Sequence, residues 1–304
     1  MEFRHLRCFL AVAEELHFRR AAEKLHMDSS PLSRAIKELE GELGAQLFSR
    51  TSRSIKLSHE GEVFLERVPR IFAALEQARE GVKSAARGFH GQLRIALSDG
   101  VTPSRLPALL ARSREEDPEV EIRIFEVPLT QQIQGLHDDL YDAGLSMADE
   151  VGDGILAIPA WEDELMVALH ARHALLEYRN VPLEKVLQQW LVLGDPAFCK
   201  GHTRQVDRLL QKRDEELRVL QRVATFDVMM ALVASGVAVG LAGAAHIAFS
   251  REMGIVGRQL AGTPPMLMTY LLRRDTEPSP MLARFIERIA TIDAGRDGNV
   301  ADGS

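Results

Sequence analysis

The fold of the amino-terminal part of the chain is decided by residues 28–40, which read Asp28-Ser29-Ser30-Pro31-Leu32-Ser33-Arg34-Ala35-Ile36-Lys37-Glu38-Leu39-Glu40. Leu32, Ile36 and Leu39 recur at intervals of four and three residues, and this spacing predicts a helix with one apolar stripe. Leu43 continues the stripe four residues later. The opposite face carries hydroxyl groups and two cations: Ser29, Ser30, Ser33, Arg34 and Lys37. The sequence therefore predicts a helix with a buried back and a polar, cationic front.

A second helix precedes this one closely. We expect the later helix to begin at Asp28, whose carboxylate can accept hydrogen bonds from the free N–H groups of the first turn. Pro31 in that turn removes a donor that would have no helical partner. Residues 19–25, RRAAEKL, predict the earlier helix. Because the joint at residues 26–28 is too short for antiparallel packing, the two helices must cross steeply, as in a helix-turn-helix.

The spacing of residues on both sides of this turn is the most specific signal in the chain. It reads Phe18-x-x-Ala21-Ala22-x-x-Leu25, then Pro31-Leu32-Ser33-x-x-Ile36-x-x-Leu39-Glu40, then Leu43-Gly44-x-x-Leu47-Phe48-x-Arg50. The pattern resembles the amino-terminal domain of LysR-type transcriptional regulators, from Met1 to about Leu57. The resemblance implies a winged helix-turn-helix, residues 1–58, that binds double-stranded promoter DNA. An all-helical packing module is the alternative.

A small two-stranded wing is expected after the helix, at residues 47–57. Arg50, Arg53 and Lys56 lie where such a wing meets phosphates or the minor groove, and a solvated charged hairpin is the alternative interpretation. Ten residues are the candidates for contact with DNA: Arg19, Arg20, Ser29, Ser30, Pro31, Ser33, Arg34, Lys37, Arg50 and Arg53.

The charge of the chain is divided unevenly. Its 304 residues carry a formal net charge of -7. Residues 1–58 contain ten Lys and Arg against eight Asp and Glu, a net +2, which leaves -9 for the remainder. A local cationic patch suits DNA binding, and the acidic remainder discourages binding of DNA elsewhere on the surface.

Composition also predicts the number of domains and the compartment. The length and an apolar content of 46% favour at least two domains. Cys8 and Cys199 suggest no disulfide framework, which is typical of a reducing cytoplasm. The amino terminus is charged from Glu2 onward, and the most apolar run, residues 223–249, is interrupted by polar residues and glycines. We therefore expect a cytoplasmic protein without a membrane span.

Residues 59–90 predict a long linker helix. Its apolar residues alternate at intervals of four and three, as in a coiled-coil seam: Phe64, Val68, Ile71, Leu75, Ala78 and Val82. One helix cannot bury this seam alone, so the pattern predicts a homodimer, with packing of the seam on its own domain as the alternative. The family resemblance implies paired linker helices and favours a homotetramer, a dimer of dimers.

From residue 91 onward, strand-like and helical segments alternate, which predicts an α/β domain. We expect strands at residues 93–97, 120–125, 143–147, 164–170, 190–194, 219–223, 237–241 and 267–272, with helices at 106–114, 131–140, 203–213, 226–234 and 281–292. Two lobes, residues 91–161 with 267–292 and residues 162–266, resemble the periplasmic-binding-protein-like effector domain of LysR-type regulators. The tail, residues 293–304, is rich in Gly and Asp and is expected to be disordered.

Ligands of open α/β sheets bind beyond the carboxyl ends of the strands. Four loops occupy that position and supply the candidate effector-binding residues: Ser98, Asp99, Gly100, Thr102, Ser146, Phe198, Cys199, His202, Thr225 and Phe226. The first loop, residues 98–102, is alternatively a plain capped turn. The family resemblance implies that these loops outline an interlobe pocket for a small effector.

The residue types in these loops predict an anionic or aromatic effector. Hydroxyls and helix-start N–H groups favour oxygen anions, and Lys200 and His202 add positive charge. Phe198 and Phe226 offer flat apolar walls. Cys199-x-x-His202 supplies two metal ligands without a second pair, which is too few for a four-coordinate site. We expect no metal and no cofactor.

Two other functions compete with regulation by an effector. A two-lobed α/β domain can host catalysis, but the sequence has no G-x-S-x-G elbow, no G-x-x-x-x-G-K-[ST] loop, no H-E-x-x-H motif and no G-x-G-x-x-G turn after a strand. We therefore expect no catalytic residues. The other alternative keeps the DNA-binding domain and makes the second domain a ligand-free oligomerisation module.

Overall fold

The computed structural model describes residues 1–50, 55–101, 105–210 and 217–294. The chain divides into two compact units, residues 1–80 and residues 81 onward. Two candidate residues, Arg53 and Thr102, lie outside the described residues, and only the backbone of Arg50 is described. The tail from residue 295 also lies outside them, so its disorder stays a prediction.

The first unit is a winged helix-turn-helix followed by the start of a long helix. Its elements are α1 (Phe3–Glu15), α2 (Phe18–Lys24), α3 (Ser29–Leu43), β1 (Phe48–Arg50), β2 (Ile55–Leu57) and α4 (His59–Ala86), the last of which continues into the second unit. The strands pair antiparallel, with Phe48 opposite Leu57. The predicted wing is therefore confirmed.

The apolar stripe of α3 forms the centre of this unit. Leu32, Ile36 and Leu39 are fully buried, as their spacing predicted. The prediction is wrong for Leu43, which is 39% exposed. Leu43 is the last residue of α3, and Gly44 turns the chain away with a left-handed φ of 67°. The helix ends there, so the core does not extend over Leu43.

The turn between α2 and α3 is short, as predicted. Asp28 precedes α3 with an extended backbone, but its carboxylate makes no capping hydrogen bond, contrary to expectation. The turn is closed by the backbone instead. Met27 N donates to Ala22 O over 3.0 Å, and His26 adopts a left-handed φ of 53°.

The seam of α4 splits into two parts. Phe64, Val68 and Ile71 pack into the core of the first unit, and Val68 is fully buried. The ring of Phe64 lies 4.9 Å from the ring of Phe9. Farther along α4, Ala78 and Val82 are exposed, Val82 by 71%. The first part of the seam therefore packs on its own domain, which was the alternative interpretation. The last residues of the seam are exposed.

The second unit is an α/β domain. Its strands are β3 (Gly91–Leu97), β4 (Val120–Glu126), β5 (Ala143–Ser146), β6 (Ile155–His170), β7 (Asn180–Val181), β8 (Leu191–Gly194), β9 (Val219–Val223), β10 (Val239–Gly243), β11 (Ile255–Leu260) and β12 (Met266–Arg274). Its helices are α5 (Leu106–Glu116), α6 (Leu129–His137), α7 (Leu183–Leu187), α8 (Lys200–Leu210), α9 (Phe226–Ala234), α10 (Ala244–Phe249) and α11 (Pro280–Ala294).

These strands form two lobes joined by one long strand. In lobe I, β4, β3 and β5 are parallel and β12 is antiparallel to β5. In lobe II, β10, β8 and β9 are parallel. β6 pairs with β12 over its first part and with β10 and β11 over its second part. The expected strand at 164–170 and the lobe boundary after residue 161 are therefore corrected, because β6 starts at Ile155 and belongs to both lobes.

Each lobe has its own apolar core. Lobe II packs around residues such as Val167, Leu191 and Leu241. In lobe I, Phe285 of α11 packs with Ile95 of β3, which confirms that the last helix returns to the first lobe. Among the described residues, no helix combines the length and apolar character needed to cross a membrane.

Candidate DNA-binding surface and interlobe pocket

The polar face of α3 is open to solvent. Arg34 and Lys37 are exposed, and neither forms a hydrogen bond or ion pair with another described residue. Pro31 and the two serines of the first turn are also exposed, whereas Ser33 is half-buried. Two exposed cations beside hydroxyl groups can contact both phosphates and base edges of DNA.

Two further cations that the sequence did not single out adjoin this face. A groove of about 510 Å³ is lined by Pro31 and Arg34 of α3 and by Arg4 and Arg7 of α1. The guanidinium of Arg7 lies 5.8 Å from the ring centre of Phe72. The spacing of Arg4 and Arg7, one helical turn apart, is the signal that could have indicated them.

Two candidate cations of α2 have partners within the first unit. Arg19 Nε lies 3.2 Å from Glu23 Oε1. Arg20 Nη2 donates to Glu15 O over 2.6 Å, and its Nε lies 3.3 Å from a carboxylate oxygen of Glu15. Both arginines are exposed, and exposed ion pairs contribute little stability. Arg19 and Arg20 can therefore leave these partners for DNA phosphates at a small cost in free energy.

A cavity of about 610 Å³ lies between the two lobes of the second unit, and we call it the interlobe cavity. It is lined by Leu97, Ser98, Asp99, Gly100, Val101, Leu106, Glu126, Val127, Pro128, Phe198, Cys199, Ala224, Thr225, Phe226, Asp227 and His246. Seven predicted residues are among them: Ser98, Asp99, Gly100, Phe198, Cys199, Thr225 and Phe226. Ser146 and His202 are buried beside the cavity and are not among its lining residues, so their contact with an effector stays a prediction.

Asp99 links the two lobes beside this cavity. Its side chain is 2% exposed, and its backbone has a φ of 58°. Oδ1 accepts a hydrogen bond of 2.8 Å from Gly201 N at the start of α8, and Oδ2 accepts one of 2.5 Å from Ser146 Oγ. The positive end of α8 also favours the buried carboxylate. The hydrogen bond between Asp99 and Gly201 therefore joins the two lobes, and Ser146, which lies in lobe I like Asp99, holds the carboxylate in place.

The start of α8 lies directly against lobe I. A Cβ atom at Gly201 would lie 2.5 Å from Ala148 N, so only glycine fits this approach. One turn later, Gln205 Nε2 donates to Met147 O over 2.6 Å and to Met268 O over 2.8 Å. Gln205 Oε1 accepts a hydrogen bond of 2.8 Å from Met268 N. α8 is thus one of the elements through which lobe II contacts lobe I.

Phe226 is held between two histidines at the wall of the cavity. The ring of His246 stacks on it with centres 4.3 Å apart, and His202 meets it edge-on at 4.7 Å. Burial lowers the pKa of His202 to about 3 and the pKa of His246 to about 4. Both rings are therefore neutral at pH 7. Gly100 is required here too, because its Cβ would lie 2.4 Å from the Phe226 ring.

The positive charge expected near the ligand is absent from the described part of the cavity wall. His202 is neutral and lies behind Phe226, and Lys200 is exposed beside a different cavity. The expectation that Lys200 and His202 supply charge to the site is therefore wrong. The position of α8 against lobe I, which the loop sequence could not show, turns both side chains away.

Cys199 is buried, and its thiol donates to Ala224 O over 3.3 Å. Burial raises its pKa to about 11, so the reactive thiolate is scarce at pH 7. Within the residues described, no three His, Cys, Asp or Glu side chains are grouped so that they could hold a metal ion.

Comparison with known proteins agrees with this two-part architecture. Residues 3–62 match the family model described as bacterial regulatory helix-turn-helix protein, lysR family. Residues 86–292 match the model described as LysR substrate binding domain. The two matches together cover most of the chain.

Relatives and solved structures are similar along nearly the whole length. The HTH-type transcriptional regulator XapR of Escherichia coli (strain K12) is 29% identical over 282 residues, 92% of this chain and 95% of the relative. The Hca operon transcriptional activator HcaR of the same strain is 30% identical over 301 residues, 97% of this chain and 100% of the relative. The crystal structure of full-length CbnR complexed with its target DNA aligns with a TM-score of 0.75 and 26% identity, covering 96% of this chain and 100% of CbnR.

α3 with its exposed cationic face and the wing lie within the residues that the helix-turn-helix model matches, and the two-lobed domain lies within those that the substrate-binding-domain model matches. Those models cover transcriptional regulators, which excludes the enzyme alternative. The chain belongs to the LysR family of bacterial transcriptional regulators.

Proposed function

We propose that this regulator binds promoter DNA through α3 and the wing and that a small effector in the interlobe cavity changes this binding. The observation that carries the proposal is the cavity itself. Its wall combines residues of lobe I, such as Gly100, with residues of lobe II, such as Phe226, next to the lobe contact made by Asp99. CbnR, a similar protein, is bound to its target DNA in a crystal structure.

A ligand in this cavity touches both lobes at once. It can therefore stabilise one arrangement of the lobes over another, provided that its affinity differs between the two arrangements. In a dimer, such a difference changes the spacing of the DNA-binding domains. Because the target is promoter DNA, we place the protein in the cytoplasm.

The cavity proposal is tested by filling the cavity. Ala224 lines it and is exposed, so Ala224→Phe adds a ring where the effector would bind. Ala197→Phe adds the same ring to an exposed position outside the lining and is the matched control. We expect small molecules that raise the melting temperature of the natural protein to lose this effect in Ala224→Phe and to keep it in Ala197→Phe, because a ligand stabilises only a state that binds it.

Promoter affinity without a ligand should be the same in all three proteins. Stabilising compounds that act equally on Ala224→Phe would place the effector elsewhere. A compound screen in which nothing raises the melting temperature would favour the ligand-free oligomerisation module.

We also propose that the protein is a homodimer through the last part of the α4 seam and assembles further, through its effector domains, into a homotetramer. Ala78 and Val82 leave an apolar strip exposed on α4, and a second copy of the same helix can cover it. The first part of the seam is already occupied by the core of the first unit. The dimer interface is thus shorter than the sequence suggested.

The double variant Ala78→Glu/Val82→Glu should weaken the dimer, because it places two like charges from each chain in an apolar interface. Glu76→Lys is the control, since Glu76 is exposed on the opposite face of α4 and forms a surface pair with Arg79. Sedimentation velocity as a function of concentration measures the change. Equal dissociation of the natural protein and the double variant would contradict this interface.

A further inference from the structure

We infer that the effector of this chain carries a positively charged, hydrogen-bond-donating group on a flat apolar body. The inference rests on the proposed function of the interlobe cavity and specifies its ligand class. It reverses the anionic preference that the loop sequences suggested.

The first argument is the charge of the wall. Three carboxylates line the cavity, Asp99, Glu126 and Asp227, and none of its described lining residues is Lys or Arg. Residues 102–104, which lie outside the described residues, are Thr, Pro and Ser and bring no cationic side chain. An anion in this cavity would meet carboxylates without a compensating side-chain cation.

Two of these carboxylates are available to a ligand. Glu126 ends β4 in lobe I, and Asp227 lies in the first turn of α9 in lobe II. Both side chains are exposed, and neither forms a hydrogen bond or ion pair with another described residue. Asp99 differs, because its oxygens already accept hydrogen bonds from Gly201 and Ser146. The free acceptors therefore come from both lobes, as a ligand that bridges them requires.

At two helix starts near the cavity, groups that could attract an anion are already used or offset within the protein. The N–H of Gly201 at the start of α8 donates to Asp99. At the start of α9, Thr225 Oγ1 accepts a hydrogen bond from Val228 N, and Asp227 places a negative charge at the positive end of the helix. His246, the titratable base in the wall, has its pKa lowered by burial to about 4 and stays neutral at pH 7.

The apolar part of the wall sets the shape of the ligand. Phe198 is 50% exposed, the largely buried Phe226 also lines the cavity, and Val127 and Pro128 add aliphatic surface. Flat rings suit such walls, and a cation is attracted to the face of an aromatic ring. A planar arylamidinium combines both properties and can donate to two carboxylates.

The test uses three probes with the same ring and different charge: benzamidinium, benzamide and benzoate. We expect calorimetric titration of the full chain at pH 7 to show benzamidinium bound about tenfold or more tightly than benzamide, with benzoate weakest. In Glu126→Gln/Asp227→Asn, benzamidinium binding should weaken about tenfold while benzamide binding changes little. Glu115→Gln/Asp153→Asn makes the same chemical changes at exposed positions outside the lining and should leave the order unchanged.

The outcomes separate this inference from the proposed function. If benzoate bound at least as tightly as benzamidinium and Ala224→Phe abolished its binding, the charge preference would be overturned. The cavity would then remain the proposed effector site. Benzamidinium binding that is unaffected by Ala224→Phe would place the probe outside the cavity and overturn the inference, whereas the proposed function would still be decided by the stabilising compounds. A lack of benzamidinium binding at millimolar concentration would also overturn the inference, because the two free carboxylates would then not act together.

Discussion

Promoter DNA should bind the double variant Arg34→Ala/Lys37→Ala roughly a hundredfold or more weakly than the natural protein, because each of the two side chains should contribute about tenfold or more through a base or phosphate interaction. Both cations lie on the exposed face of α3 and have no partner among the described residues, so their charge is available to DNA. The buried stripe formed by Leu32, Ile36 and Leu39 lies on the other side of the helix, and the alanines should leave the fold intact.

Fluorescence anisotropy with a labelled promoter duplex, repeated over a range of salt concentrations, measures this weakening. Removal of each phosphate interaction should lower the slope of log affinity against log salt by about 1, whereas removal of a base interaction leaves the slope unchanged and relaxes sequence preference. Arg172→Ala/Arg179→Ala removes two exposed positive charges from the second unit and is the control for net charge. Equal affinity and equal slope in both double variants would contradict the assignment of α3 as the recognition helix.

The second large effect is expected for Asp99→Ala, which should lower the free energy of unfolding of the second unit by roughly 2 to 4 kcal/mol. The variant leaves Gly201 N and the hydroxyl of Ser146 without their acceptor in a buried position. A buried donor without a partner costs about 1 to 3 kcal/mol. Loss of the carboxylate also removes the charge at the positive end of α8.

Urea unfolding followed by tryptophan fluorescence measures this effect in the second unit alone, because the two tryptophans, Trp161 and Trp190, both lie there. Asp227→Ala is the control, since Asp227 lines the same cavity but is exposed. Asp99→Asn keeps an acceptor oxygen, so its free energy of unfolding should lie between those of Asp99→Ala and Asp227→Ala. If Asp99→Ala were as stable as Asp227→Ala, Asp99 would not hold the lobes together and its role as a ligand contact would return.

The elements that the sequence predicted well are those formed by neighbours along the chain. A helical repeat of apolar residues has its cause within one element, so the buried stripe of α3 followed from the spacing of Leu32, Ile36 and Leu39. The same holds for α9, whose observed bounds, Phe226–Ala234, are those expected. The crossover of α11 to lobe I and the wing were also predicted correctly.

The elements that the sequence placed wrongly depend on partners far away in the chain. β6 continues from Ile155 to His170 because different strands pair with its two parts, and none of these is next to it in sequence. α10 and β11 were not predicted at all. The seam of α4 shows the same limit, since the spacing indicates an apolar face but does not indicate that the core of the first unit covers only part of it.

For the interlobe cavity too, the sequence predicted some features and the tertiary structure decided others. The α/β alternation predicted that the loops after the strands surround a cavity, because the carboxyl ends of strands from two lobes meet there. Which side chains face the cavity was decided by the position of α8 against lobe I, where Gly201 approaches Ala148 and Asp99 is used as a hydrogen-bond acceptor. Glu126 and His246 line the cavity from segments that no motif marked.

By itself, the sequence determined the family, the order of the domains and the polar face of α3 that we propose as the DNA-binding face, since each of these rests on local periodicity or on a specific pattern of residues. Only the tertiary structure decided the charge of the interlobe cavity. A side chain's ionisation and availability depend on burial and on hydrogen bonds to distant segments. His202 is neutral because Phe226 and its surroundings bury it, and the exposed Asp227 forms no hydrogen bond or ion pair with another described residue.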